Sequence, residues 1–460
     1  MRFQRPVGLA TPKVLIRDVV LLPLSVVGYA VVLHYVYFTL VTPTFSYLGY
    51  RYEAPVPQII VITTFAATLV ALCLPRRIER PSSFTLWMLF AIAVAPGMLM
   101  APYVGFLSPE QALTASLAVG GSFLIAVFGA RRRSPVKPLP FRLSATSFWI
   151  VIGLVSALTY ALMAFTVGLS LQFVSILDVY DVRSEYAAGL SGAGALGYLV
   201  STQGNVINPL IIARGLYTKR WDVVLLGVLG QALLFSGTGF KTILFSVPAL
   251  LLVAFVFRKK VWPSPLIIIA GATIMMLVAA ALDEISDSNL WTSLFSRRFL
   301  FTPGLLLSVY VGFFTANPQV HLSGSIFGSW LDYPYELSVP RVIGLATVGS
   351  SSTAMNANLF ADGFANYGYA GMAGAAVVLL VYLRVLDRAA HGLPVAVGSL
   401  VMLMPTIALS NSGILTSMLS HGLFVAILLL AVAPRDLWAK PKFRPAPDLA
   451  DQPRIGDYRK

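Results

Sequence analysis

The chain alternates long apolar runs with short polar segments, and this pattern is typical of a helical membrane protein. Most of the runs are 16–23 residues long, close to the roughly 20 residues that an α-helix needs to cross a hydrocarbon core of about 30 Å. The predicted spans cover residues 19–41, 58–74, 84–101, 113–130, 147–169, 194–213, 223–235, 242–257, 265–282, 367–383, 394–410 and 414–432. We therefore predict an all-α polytopic membrane protein with about 12 transmembrane helices.

Composition agrees with this pattern. Hydrophobic residues make up 57% of the 460 positions and charged residues 11%, whereas a soluble domain carries about 25% charged residues. A water-soluble enzyme is therefore excluded. The single cysteine, Cys73, excludes intrachain disulfides and cysteine-based metal sites. We expect residues 1–433 to form one membrane domain with a retained first helix, and the proline-rich, charged segment 434–460 to be a disordered cytoplasmic tail.

The positive charge is distributed according to the positive-inside rule. If the N-terminus is cytoplasmic, 27 of the 33 basic residues fall in inner segments, which predicts that both termini are cytoplasmic. This explains the net charge of +14 without nucleic acid. The apolar run 299–316 is predicted to be a re-entrant or interfacial helix on the outer side, because a crossing there would invert every later segment. The two large outer loops are then 170–193 and 283–366, which puts the working face outside.

Six basic residues remain on the outer side, against the charge bias. Clustered arginines are natural receptors for a phosphate, because the guanidinium fork binds oxyanions through two hydrogen bonds. The alternative is that they are solvated loop charges with local ion pairs, or that the Arg297–Arg298 pair only anchors a helix. The six residues are Arg51, Arg183, Lys241, Arg297, Arg298 and Arg341.

Lys241 lies in a glycine-rich turn between two predicted spans, one that crosses the membrane outward and one that returns. The turn sits between basic clusters at Arg220 and Arg258, so each arm is short and the lysine is predicted to lie below the outer surface. There it costs about 2.5–3.5 kcal/mol unless it meets water, an acid or an anionic ligand; alternatively it extends to the surface. The turn is not a nucleotide-binding P-loop, because Phe240 occupies a required glycine position.

Polar side chains inside and beside the spans are further candidates. Asn356, Asn358 and Asp362 precede a predicted span; they could bind sugar hydroxyls, with Asp362 as a general base, or cap and solvate the helix start. Gln203, Asn205 and Asn208 lie within a span, where such groups either form hydrogen bonds between helices or line a cavity.

Four of these places together resemble the bacterial oligosaccharide repeat-unit polymerases of the O-antigen polymerase (Wzy-type) family. Arg183 begins an R-x10-G spacing that ends at Gly194. The Gly-Phe-Lys-Thr turn at 239–242, the Arg-Arg-Phe-Leu-Phe-Thr-Pro-Gly stretch at 297–304 and the Asn-Tyr-Gly-Tyr-Ala-Gly ending at 366–371 follow in the family's order. Unlike the family pattern, the second large loop contains no R-x10-G spacing.

The resemblance implies a GT-C-like glycosyltransferase of the bacterial inner membrane. It would transfer a glycan from one polyprenyl diphosphate to another lipid-linked oligosaccharide on the periplasmic side. Arg183, Lys241, Arg297, Arg298 and Arg341 would bind the diphosphate, and Asp362 or Glu336 would deprotonate the acceptor hydroxyl. Asn356 and Asn358 would contact sugar. The family works with a chain-length regulator and a flippase. No cofactor is implied, and a metal ion is not required because fixed cations can neutralise the diphosphate.

Two other functions fit the same sequence pattern. A ligase that transfers a finished glycan to lipid A core or protein shares the chemistry and topology, and would give one transfer where a polymerase gives a ladder. A lipid-linked oligosaccharide flippase or other transporter would show inverted repeats and a polar path across the membrane midplane.

Overall fold

The structure, a computed structural model, describes residues 12–131, 142–166, 168, 186, 194–258, 263–325 and 328–438. Nearly all of the predicted loop 170–193, including Arg183, lies outside the described residues. The described part of the chain is helical and contains no strand. The all-helical, membrane-protein class predicted from the apolar runs is therefore confirmed.

Fifteen helices account for most of the described residues. Helix α1 covers Pro12–Val36 and continues through a π-helical turn at Tyr37–Val41. The others are α2 (Pro57–Cys73), α3 (Pro81–Met100), α4 (Pro109–Arg131), α5 (Ala145–Thr166), α6 (194–218), α7 (Trp221–Thr238), α8 (Lys241–Val256), α9 (Leu266–Ser286), α10 (Thr292–Ala316), α11 (Val339–Val348), α12 (Leu359–Ala389), α13 (Val395–Ala408), α14 (Ile414–Ser420) and α15 (Leu423–Val432).

Each predicted apolar run coincides with one of these helices, or with the α14–α15 pair. Among the described residues, eight helices are long and apolar enough to cross a membrane, and nine if α14 and α15, bent by 58°, form one broken span. Three further runs are shorter apolar helices, α2, α8 and α13. The lengths and apolar content of these helices indicate a polytopic membrane protein. The number of 12 spans stays a prediction.

The apolar run 299–316 lies within helix α10, and its predicted placement on the outer side as a re-entrant or interfacial helix stays a prediction. Helix α10 is continuous over 25 residues, and its segment from Pro303 to Val311 is buried. Gly304 lies so close to α3 that an added Cβ would be 2.4 Å from Met100 Sδ. Tyr50 Oη and Thr302 Oγ1 are 2.7 Å apart, so α10 packs beside the end of the bundle that is predicted to be periplasmic.

Helix α12 is a hairpin of two arms, 359–366 and 369–389. The backbone leaves the helical region at Tyr367 and at Gly368, where φ is +56°. An added Cβ on Gly371 would lie 1.9 Å from the carbonyl oxygen of Gly363, although eight residues of continuous helix would separate the two by about 12 Å. The chain therefore reverses, and only the second arm corresponds to the predicted span 367–383.

Polar residues of α6 are divided between two environments, so both alternatives from the sequence apply. Gln203 Nε2 donates to Asn208 Oδ1 at 2.7 Å, and Asn208 Nδ2 donates to Gln231 Oε1 of α7 at 3.2 Å. Gln231 Nε2 in turn donates to Ser246 Oγ of α8 at 2.8 Å. These bonds tie α6, α7 and α8 together in the buried interior. Asn205, on another side of α6, lines a cavity.

The first residues of the predicted tail pack against the helices, whereas the predicted disorder of 434–460 stays a prediction. Trp438 is 2% exposed, and the Arg214 guanidinium lies 5.2 Å above its ring. Arg435 donates to the carbonyl oxygens of Ala389 at 2.6 Å and His391 at 2.9 Å, which caps the end of α12. Burial lowers the pKa of Arg435 to about 10, so it remains charged at neutral pH. Residues 439–460 lie outside the described residues.

Introduced cysteines test the predicted orientation. In a Cys73→Ser background, Ser351→Cys should react with an impermeant maleimide in intact spheroplasts, because Ser351 is exposed and belongs to the loop predicted to be periplasmic. Ser144→Cys is the matched control, exposed beside α5 on the side predicted to be cytoplasmic, and should react only after lysis. The reverse pattern of labelling would overturn the assigned topology.

Candidate active site

A cavity of about 900 Å³ lies where α6, α8, α10, the first arm of α12, and the breaks around α14 meet the segment 317–358. One wall carries Tyr310, Asn356 and Asp362, and the other carries Asn205 and His421. Discontinuous helices build both walls. Irregular backbone in the interior of a membrane protein is tolerated where it is covered by protein or lines such a cavity.

Asp362 is the central titratable group of the first wall. Its carboxylate makes no hydrogen bond or ion pair to any described residue. Gly413, in the break between α13 and α14, lies against it: an added Cβ there would be 2.3 Å from Asp362 Oδ2 and 2.9 Å from Oδ1. Only a glycine leaves room for the carboxylate in this position. A carboxylate so enclosed, with no counter-charge among the described residues, is costly, and ionisable residues of this kind in membrane proteins usually mark a functional site.

Asn358 positions Asp362 and does not line the cavity. Its side chain is the N-cap of α12 and accepts hydrogen bonds from the backbone N–H groups of Phe360 and Ala361. Its amide also donates to the carbonyl oxygen of Pro303 at 3.0 Å, and the residue is 1% exposed. Asn358 thus has the capping role, one of the two roles that the sequence left open, and its contact with sugar stays a prediction.

Two other predicted site residues share the cavity with Asp362. Arg298 projects from α10 and is exposed, and Asn356 is exposed just before α12. No described carboxylate lies within 4.0 Å of the Arg298 guanidinium, so it is paired with no acid in this part of the chain. An arginine, an amide and a carboxylate therefore line one cavity.

Three predicted residues do not line the cavity. Glu336 and Arg341 are exposed in the segment that leads into α11 and on α11 itself. The Arg297 guanidinium lies 4.7 Å from the ring centroid of Phe45, and its Nη2 donates to Ser293 Oγ at 2.9 Å. Arg297 therefore joins α10 to the chain just after α1. Glu336, Arg341 and Arg297 are not brought into this cavity, and their contact with substrate stays a prediction.

The glycine-rich turn reaches the cavity, as the short arms suggested. Gly239 ends α7 with φ of +63°, and its N–H donates to the carbonyl oxygen of Phe235 at 2.8 Å. Lys241 is then the first residue of α8 and is half-buried. Its neighbours Phe240 and Thr242 line the cavity, whereas Lys241 itself stands beside it.

Two functional candidates escaped the sequence analysis. Gly413 matters only because it leaves room for the Asp362 carboxylate, and a single glycine forms no motif. His421 is one isolated histidine in an apolar run and forms no motif either. The available signal was the Ser-Asn-Ser-Gly stretch at 410–413, four small or polar residues between two predicted spans. Polar residues at membrane depth are rare enough to mark a site.

Among the described residues, no group of three or more histidine, cysteine, aspartate or glutamate side chains could hold a metal ion. No family model matches the chain, and neither a curated protein nor a solved structure is similar to it at a significant level.

Proposed function

We propose that this protein is a membrane glycosyltransferase that polymerises lipid-linked oligosaccharide repeat units. It would move a glycan from one polyprenyl diphosphate to the terminal sugar of another lipid-linked oligosaccharide, on the periplasmic side of the bacterial inner membrane. The observation that carries this proposal is the enclosed carboxylate of Asp362. It makes no hydrogen bond or ion pair to any described residue, and it shares its cavity with Arg298. The resemblance in the sequence to the Wzy-type polymerases supports the same chemistry.

Asp362 would act as the general base in this reaction. It takes the proton of the acceptor hydroxyl, whose oxygen attacks the anomeric carbon of the donor sugar. The bond from that carbon to the diphosphate oxygen breaks, and the electron pair leaves with the diphosphate. The products are one new glycosidic bond, a free polyprenyl diphosphate and the protonated Asp362 carboxyl, which returns its proton to water.

The leaving diphosphate gains negative charge, and a fixed cation lowers the energy of that state. Arg298 supplies a guanidinium at the cavity, with Lys241 beside it as a second positive charge. Asn356 and Asn411 are exposed to the cavity, and amide groups can both donate to and accept from sugar hydroxyls. A cavity of about 900 Å³ falls in the range of small-molecule sites.

A transporter of lipid-linked oligosaccharides is the second candidate, favoured by one specific feature. The helix reversal at Tyr367–Gly368, the break at 409–413 and the 58° bend between α14 and α15 all adjoin the cavity. Discontinuous helices around a central binding site are common in secondary transporters. A ligase would use the chemistry proposed above with a different acceptor.

One reconstitution experiment separates these functions. The purified chain is placed in liposomes with a polyprenyl-diphosphate-linked oligosaccharide as the only glycan. A polymerase should give a ladder of products on a gel. A product that appears only when lipid A core is added, with one transfer, would indicate a ligase. Movement of a fluorescent lipid-linked oligosaccharide between leaflets, without any new glycosidic bond, would replace the proposal by a transporter.

A further inference from the structure

We propose that His421 contacts the substrate and that the cavity wall formed by His421, Asn205 and Thr242 binds the diphosphate of the donor. This assignment rests on the proposed function, because it divides the same cavity into a donor end and an acceptor end. It adds a histidine to a site for which the sequence pointed only to arginines and one lysine.

The His421 ring is held at the break between α14 and α15. Its Nδ1 lies 2.9 Å from Ser420 Oγ, and the carbonyl oxygen of Ser420 accepts a hydrogen bond from Ser201 Oγ of α6 at 2.5 Å. Gly422 follows with φ of +85°, which lets the chain turn there. The Nε2 atom has no partner among the described residues, so one ring nitrogen is fixed and the other is left for a ligand in the cavity.

The short helix α14 separates His421 from Asp362. Gly413, which touches the Asp362 carboxylate, precedes α14, and His421 follows it. Eight residues at 1.5 Å each place these two ends about 12 Å apart. His421 therefore does not act on Asp362 by direct contact. The distance leaves room for sugar between a group that receives the acceptor proton and a group that meets the leaving diphosphate.

The chemistry of the His421 end suits an anion better than the Asp362 end does. Asp362 is the one carboxylate among the described residues that line the cavity, and it lies at the opposite end of α14. Asn205 lies next to the His421 turn, because a Cβ added to Gly422 would be 3.8 Å from Asn205 Cβ. The start of α8 lies against the same part of α6, because a Cβ added to Gly204 would be 3.3 Å from Ile243 Cδ1. The side chains of Asn205 and the exposed Thr242, which line the cavity, are neutral hydrogen-bonding groups. Phosphate oxygens accept hydrogen bonds from such groups.

Binding of a short polyprenyl diphosphate tests this assignment without requiring turnover. We expect farnesyl diphosphate, but not farnesol, to raise the unfolding temperature of the detergent-purified full chain. His421→Ala should weaken the apparent affinity for farnesyl diphosphate about 10-fold. His421→Gln, which keeps a hydrogen-bond donor, should weaken it less. The matched control is His321→Ala, because His321 is exposed and does not line the cavity; its affinity should equal that of the wild type.

The outcomes separate this proposal from the function on which it rests. Unchanged farnesyl diphosphate affinity in both His421→Ala and His421→Gln would overturn the assignment, even if the wild type forms a ladder. If His421→Ala weakens the affinity for farnesyl diphosphate but the wild type forms no ladder, the diphosphate site is supported and the proposed polymerase function is contradicted. If His421→Ala without ligand unfolds at a lower temperature than the wild type, the affinity of His421→Gln for farnesyl diphosphate is compared with that of the wild type instead.

Discussion

Replacing Asp362 by asparagine is expected to slow glycan transfer by about 10²- to 10⁴-fold, the usual contribution of a positioned general base. The amide has the shape of the carboxylate, so it fits against Gly413 and leaves the fold intact, but it cannot take the acceptor proton. Gly413→Ala should also impair transfer, because the added methyl group would lie 2.3 Å from Asp362 Oδ2 and displace the carboxylate. The measurement is the length of the glycan ladder formed by purified protein in liposomes.

The control for this experiment is Glu336→Gln, which removes a carboxylate that is exposed and does not line the cavity. It should leave the ladder unchanged. Membrane-inserted protein is quantified alongside each variant. A full ladder from normally inserted Asp362→Asn protein would remove Asp362 as the base and, with it, the observation on which the proposed function depends.

Gly371→Ala is expected to disrupt the α12 hairpin and lower the stability of the protein by at least the 1–3 kcal/mol typical of overpacking. The added methyl group would lie 1.9 Å from the carbonyl oxygen of Gly363, a backbone atom that cannot rotate away. The two arms must therefore separate, which moves Asp362 as well. The expected result is a lower unfolding temperature in detergent and less full-length protein in membranes.

A neighbouring glycine of the same arm provides the matched control. Nothing lies within 4 Å of a Cβ added to Gly374, and alanine favours the helix over glycine. Gly374→Ala should therefore unfold at the same temperature as the wild type or slightly higher. If Gly371→Ala and Gly374→Ala unfold at the same temperature, the close packing of the two arms would be contradicted.

Hydropathy predicted the helices well because run length and apolar content determine whether a segment can enter a membrane. The same property cannot tell whether a helix faces lipid or other helices, since both surroundings are apolar. The burial of Pro303–Val311 in α10 was therefore not predictable from hydropathy, and the outer placement of this run came from the charge pattern alone. The reversal at Tyr367–Gly368 was missed for a different reason: it depends on two residues within a run that also suits a continuous helix.

The candidate site was predictable where a basic residue lies outside against the charge bias, or where polar side chains cluster just before a span. Arg298 was found on the first ground and Asn356 and Asp362 on the second, and the three residues share one cavity. Asn358 met the same criterion but serves as an N-cap, a role that depends on where a helix begins. Gly413 contributes space for a carboxylate, which only the three-dimensional contact reveals.

The first arm of α12 also bears on how the protein is made. Its eight residues extend only about 12 Å, far less than the roughly 30 Å of the hydrocarbon core, and they carry Asp362. This arm cannot insert as an independent helix and depends on its partners for a place in the membrane. Gly413 and His421 are synthesised after it, so a nascent chain holds Asp362 before either residue exists. The cavity is therefore completed only at the end of biogenesis, after α14 and the turn at His421 have been made.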